Sequence, residues 1–206
     1  MACYGPQHWW PGESPFEVMV GAILTQQAAW INVEQAIANL KATDVLSPKG
    51  LRQIPEPELA RLISPAIYHN TKAKKLKALV NWLRESYGDD LDRLFSREIK
   101  DLRSELLSVY GIGEETADSI ILYAAKKPIC VVDAYTRRIM ARLGMVSGDI
   151  SYHACQSLFM NNLPADTQIF NEYHALLVQL GKAVCRPHPL HHKCCLADIC
   201  PTASKK

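Results

Sequence analysis

Residues 106–133 read LLSVYGIGEETADSIILYAAKKPICVVD, and their interpretation decides the fold. An amphipathic helix over residues 99–109 stops at Gly111, and Gly111-Ile112-Gly113 is a tight turn. A second helix follows over residues 114–125, with Glu114 and Glu115 in its first turn, where the helix dipole favours acids. Glycines leave no Cβ in the way, so backbone N–H groups at such a turn can approach an anion. That contact positions a nucleic-acid backbone and does not read its bases. Taken alone, the Gly-x-Gly is equally a plain interhelical turn. Asp133 lies about 20 residues further on, at the N-cap position of a basic helix over residues 134–143.

Working outward, nearly every periodic segment has helical spacing. Residues 16–24 are densely apolar, and the pattern resumes at Val33, Ile37 and Leu40 after a break near residues 25–28. Residues 71–87 carry Leu76, Leu79, Val80 and Leu83 on one face and end at Gly88. The other face holds Lys72, Lys74, Lys75, Lys77 and Arg84, read as solvated or DNA-facing. Helices are also expected over residues 152–161 and 171–181. Residues 129–132 (ICVV) resemble a strand but have no evident partner, so the fold class expected is all-α.

Composition narrows the class. The chain has 206 residues, 48% of them hydrophobic, and a formal charge of +2, so net charge names no partner. No apolar run approaches the roughly 20 residues a membrane span needs, and residues 1–15 do not read as a signal peptide. A cytosolic protein is expected. Of the seven cysteines, Cys185, Cys194, Cys195 and Cys200 are clustered. In a reducing compartment this reads as a metal or iron–sulfur site before disulfides.

The hairpin with its following Asp133 resembles the helix–hairpin–helix DNA glycosylase superfamily, the endonuclease III group. Two further stretches match, PFEVMVGAILTQQAAWINV with the family's N-terminal helix pair and IYHNTKAKKLKAL with its Tyr-x-x-x-Lys-Ala segment. The Cys-rich tail resembles its iron–sulfur loop. The resemblance implies two helical lobes. One is a barrel-like domain over 23–128, and the other combines 1–22 with 129–206. A substrate cleft is implied between them, with Asp133 and aromatics at its mouth.

The same resemblance implies roles. Asp133 is the catalytic carboxylate; Gly111, Ile112, Gly113 and Thr116 grip the DNA strand, and Arg137 reaches phosphates. Gln27 occupies the position that fills the gap left in the duplex. The family's bifunctional members carry a lysine two residues after the second hairpin glycine, where this chain has Glu115. A carboxylate cannot form a Schiff base, so AP-lyase activity is not expected.

His8-Trp9-Trp10-Pro11 and Trp30, with Val131-Val132-Asp133-Ala134-Tyr135, resemble the 3-methyladenine DNA glycosylase III branch. There Trp9, Trp10 and Trp30 are expected to sandwich an extruded base, with Tyr135 lining the pocket or simply packing. Indole faces attract cations, which suits N-alkylated purines. The expected function is thus monofunctional excision of alkylated purines such as 3-methyladenine from double-stranded DNA, by a monomer with no membrane role. An endonuclease III-like enzyme for oxidised or mismatched pyrimidines, or a non-catalytic damage-binding protein, is the alternative.

The tail's cysteines are separated by eight, zero and four residues, a departure from the family's spacing. Reading CCLADIC against the family's Cys-Pro-Leu-x-Asp-x-Cys puts Cys194 and Cys200 at the last two ligand positions. Cys185 is a third ligand, with Cys195 or His191 the fourth. A [4Fe–4S] cluster is expected, with structural zinc or a metal-free remnant as the alternatives.

Overall fold

The computed structural model describes residues 3–7 and 9–203, so His8 lies outside the described residues. Among these residues there is no strand. The chain forms two compact units, one of Gly12–Lys126 and one of Met1–Pro11 with Lys127–Lys206.

The Gly12–Lys126 unit is built around α1 (Pro15–Leu24), whose N-terminus is capped by Ser14 through its hydroxyl and started by Pro15. Nine of its ten residues are buried, which is why its sequence shows no polar face. The break read near residues 25–28 separates it from α2 (Trp30–Ala42). Short helices α3 (Pro48–Gln53) and α4 (Glu56–Leu62) pack on the long α5 (His69–Tyr87). Gly88 closes α5 in the left-handed conformation, φ +67°.

The lysine-bearing face of α5 is not simply solvated. Lys72 is fully buried, and its Nζ donates to the Leu24 carbonyl at 2.8 Å. Lys77 donates to the carbonyls of Arg52 and Ile54. Both ammonium groups therefore satisfy carbonyls left without intrahelical partners at the ends of α1 and α3.

After α6 (Leu91–Phe95), α7 (Ile99–Ser108) leads to the hairpin and α8 (Glu114–Ser119). The second hairpin helix differs from the regular one expected over 114–125. At Ile120–Ala124 it widens into a π-helical turn whose five residues are all buried.

The other unit enters along residues 129–132, extended and buried. Backbone groups there find partners on α10 (Tyr152–Asn162). The Val132 N–H donates to the Tyr152 hydroxyl, and Gln156 Nε2 donates to the Cys130 carbonyl at 2.7 Å. A strand-like segment is thereby accommodated with no sheet. Helix α9 (Ala134–Arg142) packs on α11 (Thr167–Ala183), which begins four residues earlier than expected because Asp166 caps it. Among the described residues no helix is long and apolar enough to cross a membrane.

Candidate active site and the glycine hairpin

Asp133 is the N-cap of α9, buried, and its Oδ1 accepts from the Thr136 N–H at 2.7 Å. Its Oδ2 lies 3.7 Å from Nε2 of His174, a buried histidine on α11. Burial by itself pushes the carboxyl up. The nearby His174, with the Thr136 backbone N–H, outweighs it and holds Asp133 below its ordinary value. The side chain is therefore a fixed anion at a helix N-terminus.

His174 was not legible as a functional position. It stands four residues from both Phe170 and Val178, within the buried stripe of α11. A histidine interrupting an apolar stripe at helical spacing is the one signal that marks it.

Neighbours of Asp133 divide between support and exposure. Tyr135 is half-buried; its ring lies against Gly181 of α11, with the Arg138 guanidinium 5.1 Å from its centroid. Arg138 donates to the carbonyls of Gly181 and Cys185, so it ties α9 to the end of α11. Arg137 is exposed. Trp9 and Trp10 are half-buried and meet edge to face at 5.8 Å, while Lys182 Nζ lies 5.8 Å from the Trp9 ring. An apolar cavity of 560 Å³ in this unit is lined by Cys3, Tyr4, Ile169, Tyr173, Leu177 and Leu196 among others, with neither Asp133 nor a tryptophan on its wall.

The hairpin and the loop after α1 are joined in the Gly12–Lys126 unit. Gln26 Nε2 donates to the Gly111 carbonyl at 3.0 Å and to Thr116 Oγ1 at 2.9 Å, and Lys75 Nζ donates to Gln26 Oε1. Gln26, which sequence reading passed over, thus links Gln27 to the turn. Gln27 is exposed with φ +56°, and lines a 260 Å³ pocket with Tyr68, Thr71, Lys72 and Lys75. Trp30 is half-buried at the start of α2, donating from Nε1 to Glu34.

Gly111 has φ +83°, a conformation that favours glycine, and a Cβ there would press on the Lys75 side chain. Gly113 is exposed in extended backbone. The side chains of Ile112 and Thr116 are buried and anchor the turn from within. Arg103 of α7 braces it, pairing with the fully buried Asp118 at 2.7 Å and with Glu114 at 3.3 Å. Glu115 is exposed.

The cysteines of the tail meet several different partners. All seven cysteines are free thiols. Cys185 Sγ accepts from Arg142 at 3.2 Å, and Cys200 Sγ donates to the Arg142 carbonyl at 3.6 Å. Cys194 packs with Cys185 on the Ile139–Leu180–Val184 core, whereas Cys195 lines a cavity with Cys3. Burial first, then Cys3, pushes the Cys195 thiol up to about 11. Among the described residues, His191 included, no group of three or more Cys, His, Asp or Glu side chains is arranged to hold a metal ion. Arg142 meets both Cys185 and Cys200, and the adjacent Cys194 and Cys195 face different neighbours.

Comparison with known proteins places this arrangement. Residues 20–165 match the model of the HhH-GPD superfamily base excision DNA repair protein. A Methanocaldococcus jannaschii relative, provisionally named a DNA repair glycosylase, is 45% identical over 96% of this chain and 90% of its own. Endonuclease III of Thermotoga maritima is 28% identical over 90% of this chain and 82% of its own. Among solved structures, H. pylori 3-methyladenine DNA glycosylase bound to 1,N6-ethenoadenine superposes with a TM-score of 0.72 at 27% identity, over 84% of this chain and 87% of that one. An endonuclease III–DNA complex shares the fold, with a TM-score of 0.83 at 21% identity over 98% of this chain and 89% of its own. With the hairpin, its glycines and the capping aspartate all inside or beside the matched span, the chain belongs to the HhH-GPD superfamily of base excision DNA repair proteins.

Proposed function

We propose that this chain is a monofunctional DNA glycosylase that hydrolyses the N-glycosidic bond of damaged bases in duplex DNA, alkylated purines such as 3-methyladenine first. The observation that carries it is Asp133, a buried carboxylate held anionic at the start of α9. As the C1′–N bond breaks, its electron pair leaves with the base and the deoxyribose gains oxocarbenium character. A fixed carboxylate beside C1′ stabilises that cation in a site shielded from water. Water then adds to C1′ and loses a proton, with Asp133 orienting it.

Alkylation at a ring nitrogen already makes the purine a cationic leaving group, so a separate general acid is unnecessary. Trp9, Trp10 and Trp30 offer the π faces that favour such a base, and a damaged base is the easier one to extrude. The name of the H. pylori relative supports that substrate class. Glu115, where a Schiff-base lysine would be needed, supports hydrolysis without strand cleavage. The endonuclease III relatives favour a second reading, excision of oxidised or mismatched pyrimidines.

In this reading the hairpin, with Gly111 and Gly113 at its tip, holds the strand backbone, Gln27 fills the vacated stack and Arg137 meets phosphate. The tail's part is structural. Absorbance at about 400 nm, set against a zinc assay, tells whether Cys185, Cys194 and Cys200 gather a [4Fe–4S] cluster or zinc with Cys195 or His191.

Single-turnover excision on methylated, thymine-glycol and G·T-mismatched duplexes tests the proposal. Release of 3-methyladenine, lost in Asp133→Asn with DNA binding retained and with no borohydride-trapped adduct, is the expected result. Release of pyrimidines alone selects the second reading. Undiminished excision by Asp133→Asn overturns the mechanism.

A further inference from the structure

The carboxylate just assigned has a neighbour the mechanism has not used. Asp133 Oδ1 is committed to the Thr136 N–H at 2.7 Å, while Oδ2 faces His174 Nε2 at 3.7 Å. His174 reaches this point from the middle of α11, and both residues are buried. The helix pair that carries them is closely locked, because Gly181 of α11 admits the Tyr135 ring of α9 and Arg138 donates across to the Gly181 carbonyl. An imidazole brought from 41 residues away to the second oxygen of a buried carboxylate needs a reason. Packing alone would be served by a leucine, which would leave that oxygen facing an apolar wall at a large desolvation cost.

We propose that His174 is a positioning residue for Asp133, holding its second oxygen so that the carboxylate presents one orientation and a full negative charge to the sugar of the damaged nucleotide. The inference rests on the glycosylase reading above. Its electrostatic sense is plain. A protonated Asp133 cannot stabilise an oxocarbenium ion, and burial favours protonation. His174 at this distance opposes burial, as does the α9 N-terminus. The other groups at Asp133 are Thr136 of α9 and the Cys155 thiol of α10, which interacts with both Asp133 and Arg137. Arg137 is exposed and Cys155 is neutral at ordinary pH, its thiol raised first by burial. His174 is therefore the buried partner of the pair.

The test separates this contact from the reaction. Carboxyl-carbon NMR of the full chain, with the Asp133 signal assigned by its loss in Asp133→Asn, follows protonation directly. In His174→Gln the Asp133 midpoint is expected to rise above the ordinary 3.8, by about one unit or more over wild type. The acid limb of single-turnover excision on methylated duplex DNA is expected to move up with it, while affinity for undamaged duplex stays unchanged. His174→Asn, smaller but still polar, repeats the measurement should the glutamine variant not fold. An unmoved Asp133 midpoint in a folded variant overturns the inference whatever the activity. A raised midpoint with an unmoved acid limb overturns it too. Full excision by Asp133→Asn instead overturns the glycosylase mechanism beneath it, so the two failures are distinguishable.

Discussion

Gly181 and Tyr135 interlock: a Cβ on Gly181 would lie 2.5 Å from Cδ1 of the Tyr135 ring and 2.8 Å from its Cβ. The close approach of α9 and α11, which carries Asp133 and His174 to the same place, depends on that missing methylene. Gly181→Ala must push the ring or the helices aside. Overpacking of this kind costs about 1–3 kcal/mol, more than alanine regains in helix propensity, about 1 kcal/mol. Urea denaturation is expected to show a net loss of stability. Excision should fall further than the folded fraction explains, because the carboxylate and imidazole separate. A variant as stable and as active as wild type would show that the interlock is slack.

Arg103 holds the two hairpin helices from the side. Its guanidinium makes two hydrogen bonds to Asp118, at 2.7 and 3.2 Å, and a third to Glu114 at 3.3 Å. Burial opposes the charge on Arg103, but the Asp118 carboxylate outweighs it and raises the guanidinium further. Removing one partner of a buried pair is the damaging change, so Arg103→Met is expected to cost about 3–5 kcal/mol. Replacing both, Arg103→Met with Asp118→Leu, should recover most of that loss. Glu114→Ala, at the exposed end, should change stability by less than about 1 kcal/mol. Thermal melts of the four proteins complete the comparison, and a double variant no better than the single one would refute it.

What could be read from the chain divides along range of interaction. Asp133 was legible as an N-cap because its partner is Thr136, three residues on. The hairpin was legible because glycines at 111 and 113 act on their own backbone. His174 and Gln26 were not, since their partners lie 41 and 85 residues away, and a polar side chain on a helix reads as solvated until the fold shows what covers it. The α5 lysines misled for the same reason, for they serve carbonyl groups 48 and 23 residues back. In the tail, spacing suggested a ligand set, but it could not show that Cys195 shares a cavity wall with Cys3 from the other end of the chain.

Lys72 makes the pH dependence of stability a probe of the Gly12–Lys126 unit. Burial, with a smaller contribution from Lys75, lowers its ammonium from 10.5 to about 8. Below about 8 both folded and unfolded chains hold the proton, and the folded state bears the full desolvation cost. Between about 8 and 10.5 the unfolded chain binds more protons than the folded one, so this residue's contribution to stability rises with pH. Above that window both forms are neutral and the contribution levels off. The Leu24 carbonyl keeps its partner throughout, because a neutral amine still donates. Lys72→Met removes the titration and leaves that carbonyl without the lysine. The stability of wild type relative to Lys72→Met is therefore expected to increase across the window and to be flat on either side. Urea unfolding of both proteins below, within and above it measures the difference. A difference independent of pH would mean that the folded chain lets water reach the ammonium, and that the end of α1 opens far more readily than its packing implies.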